Sequence, residues 1–164
     1  VKVRVGLLTA SDRSAAGERP DRTAEVIREM VETLGWEVTD YRVIPDERDQ
    51  IAAALRHMAD TGLGLVLTTG GTGLGPRDVT PEATADVIER SVPGLGELMR
   101  ETGRRSTPRA ALSRALAGTR GRTLIVNLPG SPRGARESLA PLLEVLPHAL
   151  EVLAGEVADC GRPA

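Results

Sequence analysis

The sequence predicts an α/β protein: a mostly parallel sheet with helices on both faces. Three observations carry that prediction. Strand-like and helix-like segments alternate along the chain. Residues 63–68 (LGLVLT) form a short continuous apolar run, the pattern of a parallel strand covered on both sides, and residues 122–128 (RTLIVNL) read as another buried strand. The helix-like segments carry apolar side chains at helical spacing, as in Val26, Ile27, Met30, Val31 and Leu34.

Each element has its own reason. Residues 1–9 alternate and then run apolar through Val3, Val5, Leu7 and Leu8, which reads as a buried strand. Residues 10–20 are polar and contain glycine, hence a loop. Residues 21–34 form an amphipathic helix, and Gly35 stands where a helix C-cap belongs. Residues 36–44, rich in Val, Thr and Tyr, make a second strand that Pro45 and Asp46 break. Residues 47–59 give a helix with Ile51, Leu55 and Met58 on one face, closed by Thr61 and Gly62. The apolar run 63–68 opens into a glycine-rich turn over residues 69–76. Thr80, Pro81 and Glu82 mark a helix start, with Thr80 as N-cap and Pro81 in the first helical position, and that helix runs to about Arg90. Two short helices follow at 93–103 and 109–117, then the strand 122–128, a proline-glycine turn, and one long helix over 135–153. Residues 155–164 read as a loose tail. No repeat or linker divides the chain, so residues 1–164 are expected to form one domain.

Composition limits the chemistry. With 40% hydrophobic and 27% charged residues, a chain of 164 residues can bury a core without disulfide staples. The net charge of −2 argues against a nucleic-acid binder, and one Trp, one Tyr and no Phe leave no stacking platforms for single strands. No apolar run approaches the ~20 residues of a membrane span. The first residues read as strand rather than signal peptide, and the lone cysteine, Cys160, agrees with a reducing cytoplasm. His57 and His148 lie far apart and read as surface or rim residues, so neither a zinc cluster nor a histidine-activated nucleophile is visible. Lys2 is the only lysine, so no P-loop lysine follows the glycine turn. Carboxylates, hydroxyls, backbone N–H groups and arginines remain, a set that suits phosphate binding and metal-assisted phosphoryl transfer.

In such sheets ligands sit beyond the carboxyl ends of the strands. There the sequence puts Ser11 and Asp12, then Asp46, then Thr69, Gly70, Gly71, Thr72 and Gly73 with Asp78 beyond them, and last Asn127 with the turn 129–134. Glycines let a backbone approach an anion and turn its N–H groups inward, and the helix N-terminus that the turn 127–134 opens favours negative charge. Spacing alone leaves each turn open between a phosphate cradle and a plain tight connection. Two such turns after two buried strands favour the cradle. Asp46 and Asp78 sit just past strand ends, where paired carboxylates beside phosphate loops hold Mg²⁺. For Asp46 a helix N-cap is equally open. Arg104, Arg105, Arg109 and Arg114 make a basic stretch, either a solvated face or a source of one or two phosphate contacts.

Ser11-Asp12-Arg13, the TTGGTG run at 68–73, the DVTPE run at 78–82, Ser113-Arg114 and the NLPGSPRG run at 127–134 resemble the MogA/MoaB family of molybdenum-cofactor biosynthesis over nearly the whole chain. The resemblance implies a three-layer α/β/α sandwich and a molybdopterin adenylyltransferase. The phosphate of molybdopterin would attack the α-phosphate of ATP, releasing pyrophosphate and leaving adenylyl-molybdopterin. It implies Mg²⁺, with Asp46 and Asp78 as catalytic and metal-binding residues. It implies nucleotide binding by Thr69, Gly70, Gly71, Thr72, Gly73, Asn127, Pro129, Gly130 and Ser131. Pterin binding falls to Ser11, Asp12, Ser113, Arg114, Pro132 and Gly134. A cytoplasmic homotrimer that hands its product to a molybdenum-insertion protein is implied as well, with neither nucleic acid nor membrane as partner. Thr23-Ala24 departs from the family's usual Ser-Gly. The chemistry fits a chain poor in histidine: the acceptor phosphate is already anionic, so catalysis needs positioning and charge neutralisation rather than a base. The alternative is a non-catalytic molybdopterin-binding protein of the same fold, MoaB-like and linked to molybdenum or tungsten.

Overall fold

Apolar alternation along the strands decides how the layers stack. The computed structural model describes residues 2–157. The chain runs β1 (Arg4–Ala10), α1 (Asp12–Ala15), α2 (Arg22–Glu32), β2 (Glu37–Ile44), α3 (Arg48–Asp60), β3 (Leu65–Thr69), α4 (Thr80–Ala85), β4 (Arg90–Ser91), α5 (Pro93–Arg104), a 3-10 turn at Pro108–Leu112, β5 (Ala117–Arg120), β6 (Thr123–Leu128), α6 (Pro132–Leu142) and α7 (Leu146–Ala154). Val5 and Leu7 of β1, Leu65 and Leu67 of β3, and Leu124, Val126 and Leu128 of β6 belong to one core, with Ile27 of α2, Met99 of α5, Leu139 of α6 and Leu146 of α7. Leu8 and Ala10, Val66 and Ile125 alternate to the other face, where Ile51, Leu55 and Met58 of α3 and Ala83 of α4 cover them. Each fully buried Leu or Ile contributes roughly 1.5–3 kcal/mol relative to exposure. The result is a sheet between two helical layers.

The sheet order is β2-β1-β3-β6-β5-β4. β1 pairs in parallel with β2 and β3, and β3 in parallel with β6. β5 and β4 then add antiparallel at the other edge. Three parallel pairings and two antiparallel ones make the sheet mixed, with β5 alone running against the other five strands and the four parallel-paired strands carrying the site.

Several boundaries differ from the sequence reading. The segment 109–117 is not a helix: a 3-10 turn leads into β5, whose Ala117 and Gly118 pair with Val126 and Ile125. The long helix expected over 135–153 starts earlier, at Pro132, and breaks into α6 and α7. Pro147 explains the break, because it has no N–H and its ring clashes with a continuing helix. α4 stops at Ala85, short of Arg90, and the chain turns into β4. Thr80 is not the N-cap of α4; Val79 holds that position and Thr80 is the first helical residue. The loop 10–20 contains α1, started by Ser11, whose side chain accepts the Ser14 N–H. His57 and His148 are exposed. Cys160 and most of the expected tail lie outside the described residues.

Candidate functional site

β1, β2, β3 and β6 end side by side. Ala10 is opposite Ile44, Thr9 opposite Thr69, and Thr69 opposite Leu128, so the segments after these strands meet along one edge. Gly70 is where they close. Its φ is +94°, and a Cβ there would sit 2.3 Å from the Ala10 carbonyl oxygen. A Cβ on Gly130 would in turn sit 3.2 Å from the Gly70 Cα. Three donors secure the loop after β6: the Gly70 N–H to the Leu128 carbonyl at 3.1 Å, Thr69 Oγ1 to the Pro129 carbonyl at 2.7 Å, and Thr23 Oγ1 to the Gly130 carbonyl at 2.9 Å. Thr23 thus meets the site through a loop carbonyl.

The acidic side of the edge is braced as firmly. The Asp12 N–H donates to Asp46 Oδ2 and the Asp46 N–H to Asp12 Oδ1, both at 3.0 Å. Arg77 donates through Nε and Nη2 to the two oxygens of Asp12 (3.1 and 3.0 Å) and through Nη2 to Glu47 Oε1 at 2.9 Å. Asp78, one residue on, accepts the Gly75 N–H at 2.8 Å. The Arg77 guanidinium holds the Asp12 carboxyl below its ordinary range, helped by the Asp46 N–H. Asp46 moves the other way. Burial pushes its pKa up, and the negative charges of Asp12 and Asp78 add to that. The N-cap reading of Asp46 does not hold: Glu47 occupies that position of α3, with no side-chain cap bond.

Two cavities flank the glycine and proline loops. The first, of about 380 Å³, is lined by Ser11, Asp46, Thr69, Gly70, Gly71, Asp78, Gly130, Ser131 and Pro132, together with Thr9, Asp21, Thr23, Arg19 and Arg22. The second, of about 290 Å³, lies between Thr72, Gly73, Pro129 and Gly134 on one side and Met99, Arg100, Leu112 and Ser113 on the other. Asp12 stays at the rim in its pair with Arg77.

Asn127 and Arg114 do not join the lining. Asn127 is fully buried; its Nδ2 donates to the hydroxyls of Thr68 and Thr84, and its Oδ1 accepts the Leu116 N–H. It is a pin in the core rather than a nucleotide ligand. Arg114 donates to the Gly73 carbonyl at 2.8 Å and the Asp78 carbonyl at 2.7 Å, and pairs with Glu82. Its guanidinium holds the glycine loop in shape and lines neither cavity. The start of α6 is also poorer in donors than a generic helix N-terminus: Pro132 has no N–H, and Ser131 Oγ takes the Gly134 N–H at 3.0 Å.

The family described as a probable molybdopterin binding domain matches residues 6–148. The chain belongs to this family. Over 93% of its length it is 40% identical to the molybdopterin adenylyltransferase of Helicobacter pylori, covering 89% of that protein. The solved structure of the molybdopterin biosynthesis enzyme MoaB from Thermus thermophilus superposes with a TM-score of 0.89 at 58% identity, over 93% of this chain and 97% of that one. A MogA structure gives a TM-score of 0.87 at 38% identity, over 92% and 99% of the two chains.

For a divalent cation, the donor set of this molybdopterin-binding domain fits one kind of site. Among the described residues no group of three or more His, Cys, Asp and Glu stands ready to hold a metal alone. Asp46 and Asp78 instead offer two carboxylates on one cavity, close enough for Asp78 to raise the Asp46 pKa. That suits a cation completed by water and substrate phosphates, the usual habit of Mg²⁺. Sequence reasoning missed the supporting residues. Arg77 and Thr23 act through contacts 65 and 107 residues away, which no local pattern encodes. Asp21 had one legible signal, its place before the helix 22–32. It caps α2 through the Ala24 N–H and also accepts from Thr9 Oγ1 and the Tyr41 hydroxyl.

Proposed function

We propose that this protein is a molybdopterin adenylyltransferase: it joins the phosphate of molybdopterin to the α-phosphate of ATP and releases pyrophosphate. One observation carries the reading. Asp46, Asp78, the Gly70-Gly71 turn and the Gly130-to-Pro132 turn line a single cavity at the carboxyl edge of the parallel strands. The name of the H. pylori relative supports the same reaction. Both reacting groups are anions, so the chain's task is to hold them in line and offset their charge. Asp46 and Asp78 would hold Mg²⁺, which supplies that neutralisation when bound. The glycine turns bring backbone close to the phosphates. Ser11 and the second cavity, with Ser113 and Gly134 on its wall, are assigned to the pterin side. Homotrimer assembly, cytoplasmic location and hand-over to a molybdenum-insertion protein belong to the same proposal.

Asp78→Asn is the test. Asparagine keeps an oxygen for the Gly75 N–H and removes the charge. Adenylyl-molybdopterin formation is expected to fall at least about 10²-fold, on the scale of losing one electrostatic stabiliser, with molybdopterin affinity nearly unchanged. A wild-type rate would refute the metal-site assignment. Incubating the unaltered protein with ATP, Mg²⁺ and molybdopterin separates enzyme from carrier: pyrophosphate release is expected, and tight binding without it would favour a carrier.

A further inference from the structure

Among the described residues, one buried side-chain oxygen has no hydrogen-bond partner: Oγ1 of Thr80. Such orphans are rare in native proteins and call for a specific cause. The surrounding polar atoms are satisfied. The Thr80 N–H donates to the Gly71 carbonyl, Thr84 Oγ1 donates to the Thr80 carbonyl, and Asn127 Nδ2 donates to Thr84 Oγ1. The hydroxyl alone is left over. A valine would fill the same volume without stranding a polar atom, so packing does not explain a threonine here.

The place of the orphan is informative. A Cβ on Gly71 would lie 2.3 Å from Thr80 Oγ1 and 3.4 Å from Asp46 Oδ1, so the hydroxyl and the carboxylate face one point beside the glycine. The other oxygen of Asp46 is already taken by the Asp12 N–H. Gly71, Asp46 and Asp78 line the same cavity. We propose that Thr80 is a positioning residue for a divalent cation held at Asp46, its hydroxyl hydrogen-bonding across Gly71 to a water of that cation's shell. The proposal rests on Asp46 holding the cation. Mg²⁺ and Mn²⁺ keep part of their water when bound by one or two carboxylates, and outer partners of that kind set affinity and orientation. The water of a bound cation then supplies the partner that the protein itself does not give this hydroxyl.

Thr80→Val and Thr80→Ser decide it, with Mn²⁺ as the probe in the presence of α,β-methylene ATP. Mn²⁺ affinity is read by electron paramagnetic resonance and the melting temperature in EDTA. Thr80→Val is expected to weaken Mn²⁺ binding about tenfold, the low end for loss of an outer-shell partner, while melting at or above the wild-type temperature. Thr80→Ser, which keeps the hydroxyl and loses a methyl, is expected to melt lower and yet bind Mn²⁺ as the wild type does. A purely structural threonine gives the opposite ranking. Unchanged Mn²⁺ affinity in Thr80→Val, or a melting temperature below that of Thr80→Ser, overturns the proposal. Loss of Mn²⁺ binding in Asp46→Asn beside full binding in Thr80→Val overturns it while leaving the Asp46 assignment standing. A wild-type protein that binds no Mn²⁺ under these conditions overturns both.

Discussion

Replacing Gly70 with alanine measures how tightly the strand-end loops close. The cost has two parts. At φ +94° an L side chain is strained, by roughly 1–2 kcal/mol. The new Cβ would also sit 2.3 Å from the carbonyl oxygen of Ala10, a backbone atom at the end of a central strand that cannot swing aside. Overfilling a packed position typically adds about 1–3 kcal/mol. The sum is roughly 2–5 kcal/mol. Gly35→Ala is the control, because φ there is +74° and nothing lies within 4 Å of the added carbon. It is expected to lose only the first part, roughly 1–2 kcal/mol. Urea unfolding followed by the fluorescence of the one tryptophan, buried Trp36, gives both numbers. At roughly 2–4 °C per kcal/mol for a chain of this size, Gly70→Ala melts about 4–20 °C lower and Gly35→Ala about 2–8 °C lower. Equal losses would refute the claim that the Gly70–Ala10 approach, rather than backbone strain alone, demands glycine. The variant has a second consequence. Gly70 relieved from Ala10 must move toward Gly130, so ATP affinity of the folded fraction is expected to fall; unchanged affinity by calorimetry would count against the cradle.

Two further outcomes separate the core from the site. Asn127→Ala strands the Leu116 N–H and the Thr68 hydroxyl and takes one donor from the Thr84 hydroxyl, which keeps its bond to the Thr80 carbonyl, so it is expected to cost about 2–4 kcal/mol in urea unfolding while leaving the KM for ATP within about twofold. A stable variant with a much higher KM would return Asn127 to the nucleotide site. Tyr41 is the only tyrosine, and burial, reinforced by its hydrogen bond to Asp21, pushes its pKa up to about 12. Between the ordinary value near 10 and that point, the unfolded chain releases the phenolic proton and the folded one keeps it, so stability falls as pH rises through that window. An absorbance titration with a midpoint near 10 would refute the Tyr41–Asp21 bond and the partial desolvation of the phenol.

The parallel half of the sheet was legible because burial on two faces forces apolar runs, and β1, β3 and β6 each carry one. The antiparallel half was not. β4 is two exposed residues, and β5 (AGTR) has no apolar run at all. Its strand state comes from pairing with β6 and from Gly118, where a Cβ would sit 2.5 Å from Ile88 Cδ1 and 2.7 Å from the Arg90 carbonyl. A single glycine in a sequence does not reveal that another chain segment passes so close. The helix break after Leu142 had a visible signal in Pro147, but that proline lies five residues beyond Leu142, in the first turn of α7, so periodicity carried the helix through it.

In the site, chain order and residue type located the neighbourhood, while roles depended on partners that sequence does not display. Asn127 and Arg114 sit inside motif segments and read as ligands, yet both spend their hydrogen-bonding capacity on backbone and hydroxyl groups of the fold. Asp12 and Asp46 are the reverse case. As isolated acids after strand ends they look alike, but Arg77 draws one toward ionisation and burial holds the other back from it. The difference has a chemical consequence for two anionic substrates. Arg77 is committed to Asp12 and Glu47, so its charge is largely answered before any phosphate arrives. Arg19 and Arg22 stand on the cavity wall, and Asp46 and Asp78 bring two carboxylates, neither of them in a salt bridge among the described residues, to the same space. Phosphates approaching those carboxylates would meet like charge unless a cation stood between them, which is why the pair proposed to hold Mg²⁺ is the pair on which transfer is expected to depend.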